Sequence, residues 1–251
     1  MAEQLTAPGA PAPAGFPHCG CCAYLAGGPV SVCAACARIR ISETASASCA
    51  VCAQRLRPAG RCPNELCRSP GRRIGRIRAL GYQEGALRQA INSYKYRGAH
   101  GLAIVLGRLF LAFLDGNVAA DPPGLIVANP GFVGSGGQRF AHAEAVLAAA
   151  ARVDTASRWP FDTGSPAAIV KMQPTLKSAE SPAWSKRAAG YELRDALRVP
   201  EPDRTRGKYV LVYDDICTTG TQLDAVAGCL LDEGEAARVE AVVLARAPWR
   251  G

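Results

Sequence analysis

From Leu80 onward two periods of hydrophobicity alternate along the chain. Leu87, Ala90, Ile91 and Tyr94 recur at i, i+3, i+4 and i+7, the spacing of one helix face, and Gly98 can end that helix. A second apolar helix is predicted over residues 102–114. "LIVANP" (residues 125–130) reads as a buried strand, followed by a glycine-rich loop and a helix through Ala143, Val146, Leu147 and Ala150. "AAIVK" (167–171) is a further short strand. Residues 209–213 form another, Leu223, Val226, Ala227, Leu230 and Leu231 mark a helix, and "VEAVVL" (239–244) is the last strand. Apolar strands separated by helices predict an α/β fold, a parallel sheet flanked by helices.

Ahead of this region the pattern gives way to cysteine. Nine of the eleven cysteines lie between Cys19 and Cys67, in the pairs Cys19/Cys22, Cys33/Cys36, Cys49/Cys52 and Cys62/Cys67, with Cys21 spare. Two thiolates a few residues apart can grip a metal ion from one turn, and two such turns close a tetrahedral site. Eight cysteines therefore predict two structural zinc sites, with sequential and interleaved pairing both open. A disulfide framework is the competing reading, and a secretory leader is not visible in the first seventeen residues. The predicted organisation is a disordered tail over 1–17, a double zinc-binding module over 18–75, and a sheet-and-helix domain over 76–251.

Charge sharpens that division. Residues 1–80 carry ten Lys/Arg against three Asp/Glu, and the remainder carries nineteen against eighteen. Arg55, Arg57, Arg61, Arg68, Arg72, Arg73, Arg76 and Arg78 crowd one stretch. They fit a phosphate-backbone footprint, and they equally balance four-thiolate zinc sites with a formal charge of −2 each. No aromatic residues are interleaved among them to stack bases. The longest apolar run is too short for a bilayer and contains Arg108, so the expectation is a cytoplasmic protein without membrane insertion.

"VLVYDDICTTGTQ", residues 210–222, carries the chemistry. Asp214 and Asp215 follow an apolar strand, where ligands bind in parallel sheets. The loop from Cys217 to Gln222 then enters a helix, so its backbone N–H groups can converge on an anion. Gly220 admits a phosphate close to the main chain, while Thr218, Thr219 and Thr221 supply hydroxyls. Acids for hydroxyls beside amides for a phosphate describe a sugar-phosphate site. Cys217 reads as a small apolar filler, with a helix-lowered thiol as the alternative. The loop after Asn129–Pro130, a candidate cis peptide, should meet a pyrophosphate, with Arg139 and Lys171 as candidate contacts beside Asn129.

The same string closely resembles the phosphoribosyl-pyrophosphate signature of type I phosphoribosyltransferases. Together with the paired cysteines, "YKYRG" (94–98) and "QRFAHAEAVLAAAA", it is similar to the ComF (competence protein F-like) family. The resemblance implies a type I phosphoribosyltransferase-like sheet that binds 5-phosphoribosyl 1-pyrophosphate with magnesium. Asp214 and Asp215 would be the catalytic carboxylates on the ribose hydroxyls, and Thr218 to Thr221 would cradle the 5-phosphate. It further implies a link to DNA uptake, through single-stranded DNA or DNA-uptake proteins. The likeness departs at Gln222, where a small hydroxyl residue is usual, and at "RFAH", which lacks the family's glycine and asparagine. An enzyme transferring phosphoribosyl to an acceptor and a non-catalytic sensor or DNA- and partner-binding module are the two functional expectations.

Overall fold

A computed structural model describes residues 47–133, 139–175 and 185–249. Its elements in chain order are β1 (Ile77–Tyr82), α1 (Gly85–Tyr96), α2 (Leu102–Asn117), β2 (Leu125–Ala128), β3 (Phe132–Val133), β4 (Arg139–Phe140) and α3 (His142–Val153). Then come β5 (Val170–Lys171), α4 (Ser185–Ala196), β6 (Leu197–Arg198), β7 (Tyr209–Cys217), α5 (Thr221–Asp232) and β8 (Arg238–Arg246). The principal sheet has the order β1-β8-β7-β2, and each neighbouring pair is parallel. The predicted tail and the first four paired cysteines, Cys19, Cys22, Cys33 and Cys36, lie outside the described residues.

Strand alternation divides the interior into two cores. Leu211 and Tyr213 of β7 join Val242 and Leu244 of β8 and the apolar faces of α1, α2 and α3 on one side. Val210 and Val212 join Val239, Ala241 and Val243 on the other, under Leu193 of α4 and Leu223, Val226 and Leu230 of α5. The central strands are buried on both faces, so they read as continuous apolar runs. On the first side α2 and α3 pack closely at Gly107, where an added Cβ would meet the Ala150 nitrogen at 2.8 Å.

The helix face through Leu87, Ala90, Ile91 and Tyr94 is buried as its spacing predicts. Several details differ from the sequence reading. β7 continues through both aspartates to Cys217, because β8 extends equally far and supplies ladder partners up to Cys217↔Arg246. "AAIVK" contributes only Val170–Lys171, paired antiparallel with β6 outside the principal sheet. β1 was not anticipated, since Arg76 and Arg78 interrupt its apolar pattern. The sole cis peptide among the described residues is Ser165–Pro166, so Asn129–Pro130 is trans.

The second core also receives the cysteine segment. Cys52, Ala53 and Ile74 are buried within it, and Cys49, Cys62, Leu66 and Cys67 pack against it. Gln54 anchors the segment from the far end of the chain by donating to the Ala247 carbonyl at 3.1 Å.

Candidate functional site

Two tight turns bring four thiols together. In the first, the Ala53 amide donates to the Cys49 carbonyl at 2.9 Å and the Cys49 amide to the Gln54 carbonyl at 2.7 Å. In the second, Asn64 caps a short 3-10 turn, Glu65–Arg68, by accepting from the Leu66 amide. The sulfurs of Cys49, Cys52, Cys62 and Cys67 all lie within 4.8 Å of one another. Sulfurs at about 2.3 Å from a tetrahedrally bound ion stand about 3.8 Å apart. Cys49 and Cys67 are separated by 3.8 Å and Cys52 and Cys62 by 3.7 Å. The donor set and its size fit a metal ion such as zinc, held by consecutive cysteine pairs rather than interleaved ones. The hydrogen bond with Cys67 draws the Cys52 thiol down to about 4, whereas burial pushes Cys62 up to about 11.

The acid-threonine loop lies against this knuckle. A small cleft is lined by Asp214, Ile216, Cys217, Thr218, Thr219, Gly220, Gln222 and Leu223. Gly220 occupies the N-cap of α5 with φ +86°, in the left-handed region that only glycine enters without strain. A Cβ there would sit 3.0 Å from both Leu66 of the knuckle and Ile77 of β1. Thr219 and Thr221 hydroxyls lie 3.0 Å apart. Among the described residues no group accepts from the backbone N–H of Thr218, Thr219 or Gly220. Three unclaimed amides at a helix N-terminus are donors for an anion.

The two aspartates part company. Asp214 lines the cleft, and it accepts from its neighbour's amide, Asp215 N, at 2.8 Å and from Asn129 Nδ2 at 2.9 Å. The register Ala128↔Tyr213 between β2 and β7 sets Asn129 beside Asp214. Asp215, on the other face of the strand, pairs with Lys95 Nζ at 2.7 Å. Burial, and after it the Asp215 carboxylate, push Asp214 up to about 7. Burial opposes the charge on Lys95, but Asp215 in contact offsets it and leaves its pKa above the usual lysine value.

The remaining candidates fall in different places. Asn129 is engaged by Asp214. Lys171 is buried in the β5–β6 ribbon, with Nζ donating to Thr175 Oγ1 at 2.6 Å, and does not line the cleft. Arg139 belongs to β4, and its side chain lies outside the described ones. Cys217 is buried, and burial pushes its thiol up to about 12, as suits an apolar filler. Gln222 is exposed at the cleft rim.

Sequence reading assigned no role to Lys95, Asn64 or Arg246. Lys95 carried a signal: Leu87, Ile91 and Lys95 fall at i, i+4 and i+8, so a cation continues an apolar stripe. Arg246 ends an apolar strand, which marks nothing by itself. Of the eight arginines, Arg55 pairs with Glu84, Arg73 with Asp232 and Arg78 with Glu240, while Arg72 donates to the carbonyls of Ile74 and Cys67. No described helix is long and apolar enough to cross a membrane. No protein-family model matches the chain, and no curated protein matches it either.

Proposed function

We propose that the chain is a ComF-like type I phosphoribosyltransferase that binds 5-phosphoribosyl 1-pyrophosphate, with magnesium, in the cleft between Asp214 and α5. The observation that carries this reading is the juxtaposition of a buried acceptor, Asp214, with the unclaimed amides of Thr218, Thr219 and Gly220. A pentose phosphate presents the complementary pair, hydroxyls at one end and a dianion at the other.

In the transfer reaction an acceptor nitrogen attacks the anomeric carbon and pyrophosphate departs with the bonding electrons. The flattened, positively charged ribose needs positioning and nearby negative charge rather than a protein nucleophile. The loop amides and threonine hydroxyls hold the 5-phosphate, and Asp214 accepts from the ribose hydroxyls. Lys95 pairs with Asp215 behind it and ties α1 to the strand that presents Asp214. Magnesium would supply the charge that neutralises the leaving pyrophosphate, and Asp214, which lines the cleft, is the carboxylate that would help hold it.

Calorimetry with phosphoribosyl pyrophosphate and magnesium tests the proposal, followed by pyrophosphate release across candidate acceptors. Asp214→Asn is expected to weaken binding about tenfold or more, as losing a charge-assisted hydrogen bond should. Equal affinity in wild type and variant would overturn the assignment. A second reading, a module that binds single-stranded DNA or a DNA-uptake protein, draws on the exposed Arg57, Arg61, Arg68 and Arg76, which make no ion pair among the described residues. Affinity for single-stranded DNA that falls steeply with salt supports it, and no binding at low salt excludes it. A second zinc, held by Cys19, Cys22, Cys33 and Cys36, completes the proposal.

A further inference from the structure

Arg246 is the largest fully buried side chain among the described residues, and no carboxylate among them pairs with it. Its Nη1 donates to the carbonyls of Cys217, at 2.7 Å, and Thr218, while Nη2 approaches Cys52 Sγ at 3.8 Å. An unpaired guanidinium in an apolar interior is costly. Four thiolates around a divalent ion carry a formal −2 charge, so the metal-filled knuckle would be the counter-ion of Arg246. From the same knuckle Asn64 Nδ2 donates to the Thr219 carbonyl at 2.8 Å.

Three successive carbonyls, those of Cys217, Thr218 and Thr219, are thus pinned on one side of the loop. In a trans peptide the carbonyl and the following N–H point in opposite directions. Fixing these carbonyls turns the amides of Thr218, Thr219 and Gly220 away from their anchors, toward the cleft that those residues line. Leu66 closes the same face against Gly220.

We infer that metal occupancy of the Cys49/Cys52/Cys62/Cys67 knuckle sets the anion affinity of the loop, with Arg246 and Asn64 as the positioning residues that transmit it. The metal is then more than a folding clip for its own segment. Its charge holds Arg246, Arg246 and Asn64 hold the carbonyls, and the carbonyls aim the amides. The affinity part of this inference rests on the loop being the phosphate site proposed above, whereas the ordering of the loop does not.

The test uses the full-length chain. Backbone NMR order parameters of Thr218, Thr219 and Gly220 are compared in the metal-bound protein, the chelator-stripped protein and metal-bound Asn64→Ala. Order parameters at these amides should fall from rigid values of about 0.85 to below about 0.6 in the last two, while Val210 to Val212 of β7 stay rigid. Unchanged order parameters at the loop after stripping overturn the inference. So does an equal loss of order throughout β7, because the metal would then support the whole sheet. Calorimetry with phosphoribosyl pyrophosphate and magnesium should give at least tenfold weaker binding to Asn64→Ala than to wild type. Wild type that binds none refutes the phosphate-site reading, and the order-parameter comparison still decides the coupling. Asn64 is used because replacing Arg246 removes a fully buried side chain from the core.

Discussion

Lys95 Nζ and Asp215 Oδ2 stand 2.7 Å apart, joining the last turn of α1 to β7 beneath the candidate site. Both side chains are largely buried, at 19% and 9% exposed. Lys95→Met keeps the stem and removes the charge, leaving adjacent aspartates with no cation. Removing one partner of a buried pair costs about 3 kcal/mol or more. Urea denaturation should give that loss near pH 8, above the Asp214 pKa of about 7, and a smaller one near pH 5, where Asp214 holds its proton. An equal loss at both pH values would show that packing, not charge, holds the pair.

Asp214 has the opposite sign of effect. Its folded-state pKa of about 7 stands above that of an unfolded aspartate, about 3.9. The folded chain holds the proton more tightly, so this group's contribution is complete below pH ~4 and lost as pH rises through about 7. Asp214→Asn should melt higher than wild type at pH 8 and equally at pH 4, each kcal/mol of relief being worth about 2–4 °C. The Asn129 amide can turn to preserve their hydrogen bond. A variant that melts lower at both pH values contradicts the argument.

Metal analysis checks the knuckle. Protein purified without chelator should contain zinc, and Cys62→Ser should release the ion held with Cys49, Cys52 and Cys67. If Cys19, Cys22, Cys33 and Cys36 hold a second ion, the variant falls from two zinc per chain to one. A fall from two to none would mean that losing this ion also releases the other.

At Gly220 any side chain meets two obstacles. A left-handed conformation costs an L-residue about 1–2 kcal/mol, and the Cβ would press on Leu66 and Ile77 at 3.0 Å. Gly220→Ala should lower stability by roughly 2 kcal/mol and abolish phosphate-ligand binding. Wild-type affinity in this variant would place the ligand elsewhere.

Gln222 is exposed on the first turn of α5, with its side chain at the cleft rim. Gln222→Thr replaces a long amide by a short hydroxyl without disturbing the core. Ligand affinity should change by less than about tenfold and Tm should not move. A larger loss of affinity in the threonine variant would reveal a specific contact made by the glutamine.

Local pattern carried much of this molecule. The spacing of Leu87, Ala90, Ile91 and Tyr94 sets a helix face wherever the chain puts it, because 3.6 residues make a turn. Apolar runs such as Val210 to Val212 need burial on both faces, which already implies a parallel sheet under helices. The cysteine pairs and the acid-threonine string mark the candidate metal and anion sites, since paired thiols suit a metal ion and amides at a helix start suit an anion. Long-range register decided the rest. Nothing in the sequence says that β8 runs beside β7 as far as Arg246, yet that pairing extends the strand through Asp214 and Asp215 and separates their faces. The approach of Asn64 to Thr219, 155 positions away, and of Lys95 to Asp215 depends on how helices and turns pack on the finished sheet. Such contacts have no period to read, because they are set by packing between segments rather than by spacing within one.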